Sequence, residues 1–494
     1  MDQESQKAPE EAQLLAENKS AAENKSALAP KLDILKANIT TFSKKGHGQS
    51  ELKVRGHLRK IEFLNTLVGD EVLFAVPKGR MRRKVSVEPL EVVKPSTNRV
   101  KPRCAHVDTC GGCQWQIMEY KAQLKEKEKL ITQLFEPLIH DGTFYPIEPA
   151  KEIFYYRNKM EFSFSQDKKG NQFLGLNQPG KNQKIIAVQM CHLVNPWMSE
   201  VLAATRLWWS KHTSIKSYHF FSGTGCLQTL ILREGKNTGE KMVVLTVSQS
   251  VEDMLSGESL NSFKEHICKL FAQSGESVSI FLRIHSVKKE RGSEFYEMHL
   301  NGAPTIKETI EIKGRQFSFS ISPSAFFQPN TAMAQLIYEK AIEMAEVTKN
   351  AIVLDLYAGA ATLGIVFSPF VKKVFSIESN PYAVCDAQTN IEQNQADNVS
   401  ILKGDVGALL ENFYNCPDLI IVDPPRVGLS KEAIFHLARL RAKKILYIAC
   451  NIHTQAENVE RLLEEGYVVK AIQPIDQFPH TPHVENIVLL QQSL

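Results

Sequence analysis

Long apolar segments are missing from this chain of 494 residues. No run approaches the roughly 18 consecutive apolar residues that a membrane-spanning helix needs. The first residues mix acidic and basic side chains, so they match neither a secretory signal nor an arginine-rich transit peptide. We therefore expect a cytoplasmic protein that does not associate with membranes.

A strong net charge is also missing. The chain carries 59 basic and 55 acidic residues, a balance of +4 at pH 7. So small an excess does not by itself indicate a polyanionic partner, and evidence for a nucleic-acid site has to come from local clusters of basic side chains. No sequence pattern reports the oligomeric state, and a monomer is the default expectation.

The nine cysteines are an odd number in a chain without a secretory signal. Such usage is typical of a reducing compartment, where thiols bind metals or react rather than form disulfides. Three lie close together as Cys104-x5-Cys110-x2-Cys113, with two glycines that allow a tight turn, and Cys191 is a fourth, remote candidate. Four thiolates suit either zinc or an iron–sulfur cluster, and the ligand type does not separate the two.

Residues 1–50 are poor in aromatics and repeat one six-residue unit at 16–21 and 22–27. Little apolar surface is available there to offset the entropy of ordering, which predicts a disordered tail. Residues 51–98 alternate short strand-like stretches with Gly and Pro, which predicts a small β domain. Its basic run Lys78–Lys84 suits contact with a nucleic-acid backbone and suits a solvated hairpin tip equally well.

Residues 99–320 contain the cysteine cluster, an amphipathic helix at about 119–136 and mixed strands and helices, which predicts a central α+β domain. Within it, Tyr155–Phe164 alternates basic and aromatic side chains. This pattern can stack bases and bind phosphate, and it can equally be an ordinary strand.

Residues 321–494 alternate strands with helices. The pattern predicts an α/β domain with a Rossmann-like parallel sheet that is covered by helices on both faces. The expected strands span residues 351–356, 373–377, 399–402, 418–422, 443–449, 467–472 and 484–490. The last two are close enough in sequence to form an antiparallel edge pair. In open sheets of this kind, ligands bind at the carboxyl ends of the strands.

Acidic residues follow several of these strands. The first strand leads into a small-residue turn, Asp355–Thr362, that would let the backbone approach a cofactor. Glu378 ends the second strand, 23 residues after Asp355, near the spacing expected for an acid that binds a ribose hydroxyl. Asp405 follows the third strand and could reach an adenine amino group. Asp423 ends the fourth, where two prolines stop the strand and aim the acid at the crevice.

The fifth strand, Ile445–Ala449, delivers Cys450 and Asn451 to the same edge. A lone buried cysteine is usually an inert structural thiol. The neighbouring motifs favour a reactive one here. In this pattern, an acid followed by two prolines at a strand end is a strong sign of methyl transfer to a planar nitrogen or carbon of a base.

Together these motifs resemble the S-adenosylmethionine-dependent RNA uracil-C5 methyltransferases, in particular the iron–sulfur branch that makes 5-methyluridine in 23S ribosomal RNA. The resemblance covers roughly residues 50–494. The matching motifs occur in the family's order and are Phe326–Asn330, Asp355–Thr362, Asp423–Arg426, Ala449–Asn451 and Pro479–Asn486, with the cysteine set Cys104, Cys110, Cys113 and Cys191.

The resemblance implies a role for each motif. The residues implied for binding S-adenosylmethionine are Gln328, Tyr357, Glu378 and Asp423, the last also near the target base. Cys450 is implied as the nucleophile and Glu485 as the base. The four cysteines would hold a 4Fe–4S cluster, with zinc as the lesser alternative. Residues 51–98 would form a TRAM domain, which is an OB-like RNA-binding barrel.

The chemistry explains these residue types. Carbon 5 of uracil is too weak a nucleophile to attack a methyl sulfonium. A thiolate that adds to carbon 6 produces an enolate, which makes carbon 5 nucleophilic and splits one difficult step into easier ones. A base must then remove the proton from carbon 5 so that the thiolate can leave. A carboxylate in a closed site can have its pKa raised toward neutrality, which suits Glu485 to this role.

The cofactor turn departs from the family's usual form, Asp-x-Tyr/Phe-Cys-Gly-x-Gly. Ala358 replaces the cysteine and Ala361 the second glycine. Alanine disfavours positive φ, so a left-handed backbone at position 361 would weaken cofactor binding. Three alternatives remain: an RNA-binding protein that has lost turnover, a transfer-RNA uracil methyltransferase, which the cysteine set disfavours, and a cytosine-C5 enzyme, which would carry its cysteine within the motif at Asp423–Arg426.

Overall fold

The structure is a computed structural model that describes residues 33–76, 84–180, 184–249, 255–272, 275–288, 292–413 and 416–493. The chain divides into two compact units, Met1–Arg99 and Val100–Leu494. Over the described ranges, no helix combines the length and apolar character that crossing a membrane requires.

The first unit contains two small sheets, in the strand orders β1-β5-β7 and β2-β3-β4-β6. Its strands are β1 (Ile34–Asn38), β2 (Thr41–Phe42), β3 (Gly48–Val54), β4 (His57–Phe63), β5 (Glu71–Ala75), β6 (Lys84–Val87) and β7 (Glu91–Lys94). Phe63 of β4 and Phe74 of β5 are fully buried and pack edge to face with their ring centroids 5.1 Å apart. Alternate residues of β5 are buried, and together with buried residues of β1, β3 and β4 they form the apolar core of the unit.

The predicted disordered tail ends too late at residue 50, because β1 and β2 precede that position and β3 begins before it. Ile39 is buried, and its backbone exchanges hydrogen bonds of 2.9 Å with Gly69 and Asp70. These partners are remote in sequence, so local composition does not reveal them. Residues 1–32, and residues 78–83 of the predicted basic run, lie outside the described residues.

Helix α1 (Tyr120–Phe135) confirms the predicted amphipathic helix. Its buried residues Ile131 and Phe135 belong to the apolar cluster of the C-terminal sheet, and the short strand β8 (Thr143–Phe144) pairs in parallel with Ala471 and Ile472 at the edge of that sheet. This segment therefore packs with the C-terminal domain, which corrects the prediction that it is part of a central domain. The contact joins segments more than 300 residues apart, which no local pattern shows.

The central part is a seven-stranded sheet in the order β11-β10-β9-β12-β13-β14-β15. Its elements are β9 (Lys159–Gln166), β10 (Gln172–Asn177), β11 (Ile185–Ala187), α2 (Pro196–Lys211), β12 (Leu227–Glu234), β13 (Lys241–Ser248), α3 (Gly257–Ala272), β14 (Val278–Lys288) and β15 (Gly292–Asn301). Helices α2 and α3 pack against the sheet, and Trp208 and Trp209 of α2 are fully buried in the apolar cluster between them and the strands. The strand expected at Tyr155–Phe164 begins only at Lys159, since Tyr155 has a φ of 56°.

The C-terminal part confirms all seven strands that the sequence predicted. Its elements are the hairpin β16 (Ile306–Ile312) and β17 (Arg315–Ile321), then α4 (Thr331–Ala345), β18 (Ile352–Leu356), α5 (Thr362–Phe367), β19 (Lys373–Glu378), α6 (Pro381–Gln393), β20 (Val399–Lys403), α7 (Val406–Glu411), β21 (Leu419–Val422), α8 (Lys431–Arg439), β22 (Lys444–Ala449), α9 (Ile452–Glu464), β23 (Tyr467–Ile475) and β24 (Glu485–Gln492). Helices pack on both faces of the sheet, and an apolar cluster lies between the strands and the helices on each face.

The strand order of this sheet is β20-β19-β18-β21-β22-β24-β23-β8. The first five strands in that order are parallel, as predicted. The last two strands of the chain pair in antiparallel fashion, but β24 lies inside the sheet between β22 and β23. Because β24 runs against β22, its first residue lies at the edge where the parallel strands end.

Candidate active site

The carboxyl ends of the parallel strands share one edge of the sheet, and the predicted site residues lie along it. Asp355 lies in β18, Glu378 ends β19, Asp423 follows β21 and Cys450 follows β22. Strands β18 and β21 are neighbours although β19 and β20 separate them in the chain. A crevice opens where the strand order reverses in this way, and that is where open α/β sheets bind ligands.

The turn after β18 is left-handed at Tyr357 (φ 60°), Gly359 (φ 55°) and Ala361 (φ 57°). Glu378 holds it, because its Oε2 accepts a hydrogen bond of 2.9 Å from the backbone N–H of Gly359. A Cβ built on Gly359 would meet nothing within 4 Å, so the turn is open on that side. Position 361 does require the left-handed backbone, which costs a non-glycine residue about 1–2 kcal/mol.

Asp405 lies near this turn, and its charge adds to burial in raising the pKa of Tyr357 to about 12. The sequence predicted Asp405 as an adenine contact. In the structure its Oδ1 caps helix α7 by accepting a hydrogen bond of 3.1 Å from the N–H of Ala408. One oxygen of this carboxylate is therefore engaged within the fold.

Asp355 is fully buried beneath the turn. Its Oδ2 accepts hydrogen bonds from the N–H of Gly364 at 3.1 Å and from the hydroxyl of Ser376 at 3.0 Å. Burial raises its pKa to about 7, against the effect of these two donors. Asp355 thus ties the start of α5 to β19 and shapes the cofactor turn from below, a role that sequence reasoning did not assign to it.

Gln328 and Asp423 meet across the crevice. The Nε2 of Gln328 donates to Oδ2 of Asp423 at 3.4 Å. The backbone carbonyl of Gln328 accepts a hydrogen bond of 2.8 Å from Asn158, so a residue just before β9 of the central sheet holds it in place. Desolvation, and then the charge of Asp355, raise the pKa of Asp423 to about 7.

Cys450 lies at the end of β22 under opposing electrostatic influences. Burial first, and then the charge of Glu485, raise the pKa of its thiol to about 11, against the opposing effect of the positive guanidinium of Arg426. Asn451 fastens the loop that carries the arginine, since its Nδ2 donates to the carbonyl of Arg426 at 2.8 Å. Arg426 was visible in the sequence only as the last residue of the motif that begins at Asp423.

Glu485 lies beside Cys450 because of the strand register. The antiparallel register ends with Ala449 of β22 opposite Asn486 of β24. Cys450 is the residue just beyond β22 and Glu485 is the first residue of β24, so the two lie side by side at the open edge. Glu485 is 2% exposed. Burial and the charge of Asp423 raise its pKa well above the ordinary value, against the effect of Arg426.

The loop that leads into Glu485 is anchored by helix α1. The Nζ of Lys127 contacts Oδ1 of Asp476 at 2.6 Å and the carbonyl of Phe478 at 3.1 Å, and both charged side chains are fully buried. The Oε1 of Gln123 accepts a hydrogen bond of 2.8 Å from the N–H of His480. Sequence reasoning missed this support because no local signal connects α1 to a loop about 350 residues later.

The four cysteines predicted to bind metal line a single cavity of about 140 Å³. Burial, together with the neighbouring Cys191 and Cys104 thiols, raises the pKa of Cys110 to about 11. The same causes raise the pKa of Cys113. Within the described ranges, no group of three or more His, Cys, Asp or Glu side chains is close enough to hold a metal ion. The four thiols therefore border one shared space.

Comparison with known proteins assigns the family. The family model for tRNA (uracil-5-)-methyltransferases matches residues 119–493. An uncharacterized RNA methyltransferase of Protochlamydia amoebophila is 40% identical over 440 residues, which cover 86% of this chain and 98% of that protein. One from Caldanaerobacter subterraneus is 30% identical over 471 residues, or 93% and 99% of the two chains.

The fold agrees with this assignment. The crystal structure of a Pyrococcus abyssi tRNA (uracil-54, C5)-methyltransferase in complex with S-adenosyl-L-homocysteine matches with a TM-score of 0.67 and 24% identity, and it covers 92% of this chain and 100% of that one. Its bound ligand is the product that remains when S-adenosylmethionine gives up its methyl group. The chain therefore belongs to the tRNA (uracil-5-)-methyltransferase family and is an S-adenosylmethionine-dependent RNA methyltransferase.

Proposed function

We propose that this enzyme methylates carbon 5 of a uridine in RNA through a covalent adduct with Cys450, with Glu485 as the base. The observation that carries the proposal is the register of β22 against β24, which makes Cys450 and Glu485 neighbours at the catalytic edge. A thiol that attacks carbon 6 and a carboxylate that takes the proton from the adjacent carbon 5 have to be neighbours in this way.

The proposed reaction has three steps. The thiolate of Cys450 bonds to carbon 6, and the electrons of the carbon 5–carbon 6 double bond move toward the oxygen on carbon 4. Carbon 5 then uses that electron pair to take the methyl group, which S-adenosylmethionine supplies in electrophilic form. Glu485 removes the carbon 5 proton, the double bond re-forms, and the carbon–sulfur bond breaks with its electrons returning to Cys450.

The environments of the two residues support these roles. A raised pKa makes Glu485 a stronger base than an ordinary glutamate, which suits proton removal near neutral pH. The thiol of Cys450 is mostly protonated in the free enzyme, and Arg426 opposes the burial that keeps it so. The arginine would therefore stabilise the thiolate as nucleophile in the first step and as leaving group in the last.

We propose that S-adenosylmethionine lies along the ends of β18, β19 and β21. The residues proposed to hold it are Gln328, Tyr357, Glu378 and Asp423. The open side of the turn at Gly359 leaves room for a ligand close to the backbone. The carboxylates of Asp355 and Asp423 supply negative charge that complements the positive charge of a sulfonium.

We propose that Cys104, Cys110, Cys113 and Cys191 hold a 4Fe–4S cluster with a structural role. The observation that supports a metal group there is that the four cysteines line one cavity. Zinc bonds its sulfur ligands at about 2.3 Å and requires them to converge, whereas a four-iron cluster is larger. Replacing Cys110 with Ala should lower bound iron, visible absorption and folded yield. If the purified protein contains zinc in place of iron, the proposal of a 4Fe–4S cluster is wrong.

We propose ribosomal RNA as the substrate class. The support is the cysteine set, which typifies the ribosomal branch that the sequence resembles. Transfer RNA is the second candidate, because the family model and the Pyrococcus abyssi enzyme are both named for it. Transcripts of 23S ribosomal RNA and of transfer RNA, incubated in parallel with labelled S-adenosylmethionine, would separate the two.

We also propose that the first unit is a TRAM-like RNA-binding domain. Its hairpin of β3 and β4 exposes several basic side chains, namely Lys53, Arg55, His57 and Lys60. Such a surface suits neutralisation of RNA phosphates. Replacing Lys53 and Lys60 with Ala should weaken RNA binding and flatten its salt dependence while leaving cofactor binding unchanged.

Nucleoside analysis of methylated RNA tests the central proposal. The expected product is 5-methyluridine from the wild type and from a Cys385→Ala control, in which an exposed cysteine on α6 is removed. Cys450→Ala should form none while it still binds RNA. Methylation of another base or atom, or full activity of Cys450→Ala, would overturn it.

A further inference from the structure

We infer that Gln477 is a positioning residue that orients the carboxylate of Glu485 and links it to the cofactor side of the site through Gln328. This inference rests on the proposed role of Glu485 as the base. Gln477 lies in none of the motifs that the sequence suggested, and it occupies the loop between β23 and β24.

Three amide and carboxylate contacts form a continuous relay. The Nε2 of Gln477 donates to Oε1 of Gln328 at 2.7 Å and to Oε2 of Glu485 at 3.3 Å. The Nε2 of Gln328 in turn donates to Oδ2 of Asp423 at 3.4 Å. The relay therefore runs from the proposed base, through two neutral amides, to the carboxylate at the end of β21.

The direction of each amide in the relay is determined by its partners. Gln477 faces two acceptor oxygens, so only its NH₂ group can satisfy both, and Gln328 then has its own NH₂ free for Asp423. The opposite orientation of Gln477 would bring three acceptors together in a buried place. In this arrangement the Oε1 of Gln477 is buried without a hydrogen-bond partner in the described part of the chain. Pointing the NH₂ group of Gln477 at Glu485 therefore leaves the Oε1 of Gln477 without a hydrogen bond among the described residues.

Hydrogen bonds of its backbone also hold Gln477 in place. Its N–H donates to the carbonyl of Ile475 at 3.0 Å, and its carbonyl accepts a hydrogen bond of 3.1 Å from Nδ2 of Asn330. Asn330 also caps helix α4 through its side-chain oxygen. Gln477 itself is fully buried, so it acts on the reaction only through Glu485 and Gln328.

The hydrogen bond that Gln477 donates to Oε2 of Glu485 has two consequences for this proposed base. It favours the ionised form of Glu485, which burial and Asp423 otherwise disfavour. It also engages Oε2 and leaves Oε1 as the oxygen that takes the proton from carbon 5. Without Gln477, proton removal should slow while attack by Cys450 and methyl transfer continue.

The test compares Gln477→Met with Gln473→Met. Methionine keeps a similar volume and removes the donor. Gln473 is a matched control because it is also buried and, within the described ranges, its amide donates to the backbone carbonyls of Pro146 and Pro474 rather than to a carboxylate. Rapid-quench reactions with ordinary uridine-containing RNA and methyl-labelled S-adenosylmethionine would be resolved on denaturing gels, and turnover would be measured against pH.

We expect Gln477→Met to lose roughly tenfold to hundredfold in kcat, the effect of one hydrogen bond to a charged group. A methyl-labelled protein–RNA adduct should accumulate, and the acidic limb of the pH profile should move to higher pH. The Gln473→Met variant should show neither change. If Gln477→Met does not fold, Gln477→Glu preserves the shape, places an acceptor against Glu485 and should produce the same adduct and a larger pH shift.

The inference is overturned if the Gln477 variants lose activity without accumulating methylated adduct, or if they match Gln473→Met. Its failure is distinct from failure of the proposed function. If the wild-type enzyme cannot be trapped on RNA containing 5-fluorouridine, the covalent mechanism itself is wrong. If the wild type is trapped but the Gln477→Met variant behaves like the control, only the proposed role of Gln477 is wrong.

Discussion

Cys450 offers the sharpest prediction, because two neighbours act on its thiol in opposite directions. Burial and Glu485 raise the thiol pKa from 9.0 to about 11, and Arg426 lowers it. A thiol with this pKa is about 0.1% ionised at about pH 8, against about 10% for an unperturbed one. Since only the thiolate reacts, alkylation of Cys450 should be roughly a hundredfold slower than that of an unperturbed cysteine.

Replacing Glu485 with Gln removes a negative neighbour and should speed alkylation several-fold, although the same change should stop turnover. Arg426→Gln should slow alkylation by a comparable factor. Iodoacetamide labelling between about pH 7 and pH 10, with peptides quantified by mass spectrometry, measures both effects against the exposed Cys385. Slower labelling in Glu485→Gln, or faster labelling in Arg426→Gln, would refute the reasoning.

Three further predictions follow from buried groups. Gly359→Ala should lower the free energy of unfolding in urea by about 1–2 kcal/mol, since the position is left-handed and otherwise open; no change would contradict this. Lys127→Met should cost about 3–5 kcal/mol because it leaves the buried carboxylate of Asp476 without its cation, and adding Asp476→Asn should restore part of the loss in the same assay. Asp423 and Asp355, both with pKa about 7, are neutral below that pH and charged above it, so calorimetry should show S-adenosylmethionine binding more tightly as pH rises through 7. Neutral-sulfur S-adenosylhomocysteine should show a flatter dependence, and Asp423→Asn should reduce the slope; equal slopes for both ligands would count against a charge effect.

The C-terminal fold was predictable because its signals are local. Apolar strands such as Ile445–Ala449 alternate with helices, and this pattern alone predicts a parallel sheet. The insertion of β24 between β22 and β23 was not predictable, because sequence adjacency suggests only that the last two strands pair. That insertion is what brings Glu485 beside Cys450.

Residues that act through remote contacts escaped prediction. The acids at strand ends were found because position along a strand predicts position at the sheet edge. Lys127 and Gln477 carry no such signal, since each is defined by partners elsewhere in the chain. Strand β1 was assigned to the predicted disordered tail for the same reason. Its pairing partner, β5, lies too far along the chain to be recognised from a local pattern.

The most direct test of the account is to trap the enzyme on its substrate. The protein, S-adenosylmethionine and RNA containing 5-fluorouridine would be mixed and analysed by denaturing electrophoresis. Fluorine cannot leave carbon 5 as a proton, so we predict a stable methylated protein–RNA adduct that maps to Cys450 and is absent in Cys450→Ala. Failure to form an adduct with RNA that the wild type demonstrably methylates, or an adduct that persists in Cys450→Ala, would contradict the covalent mechanism.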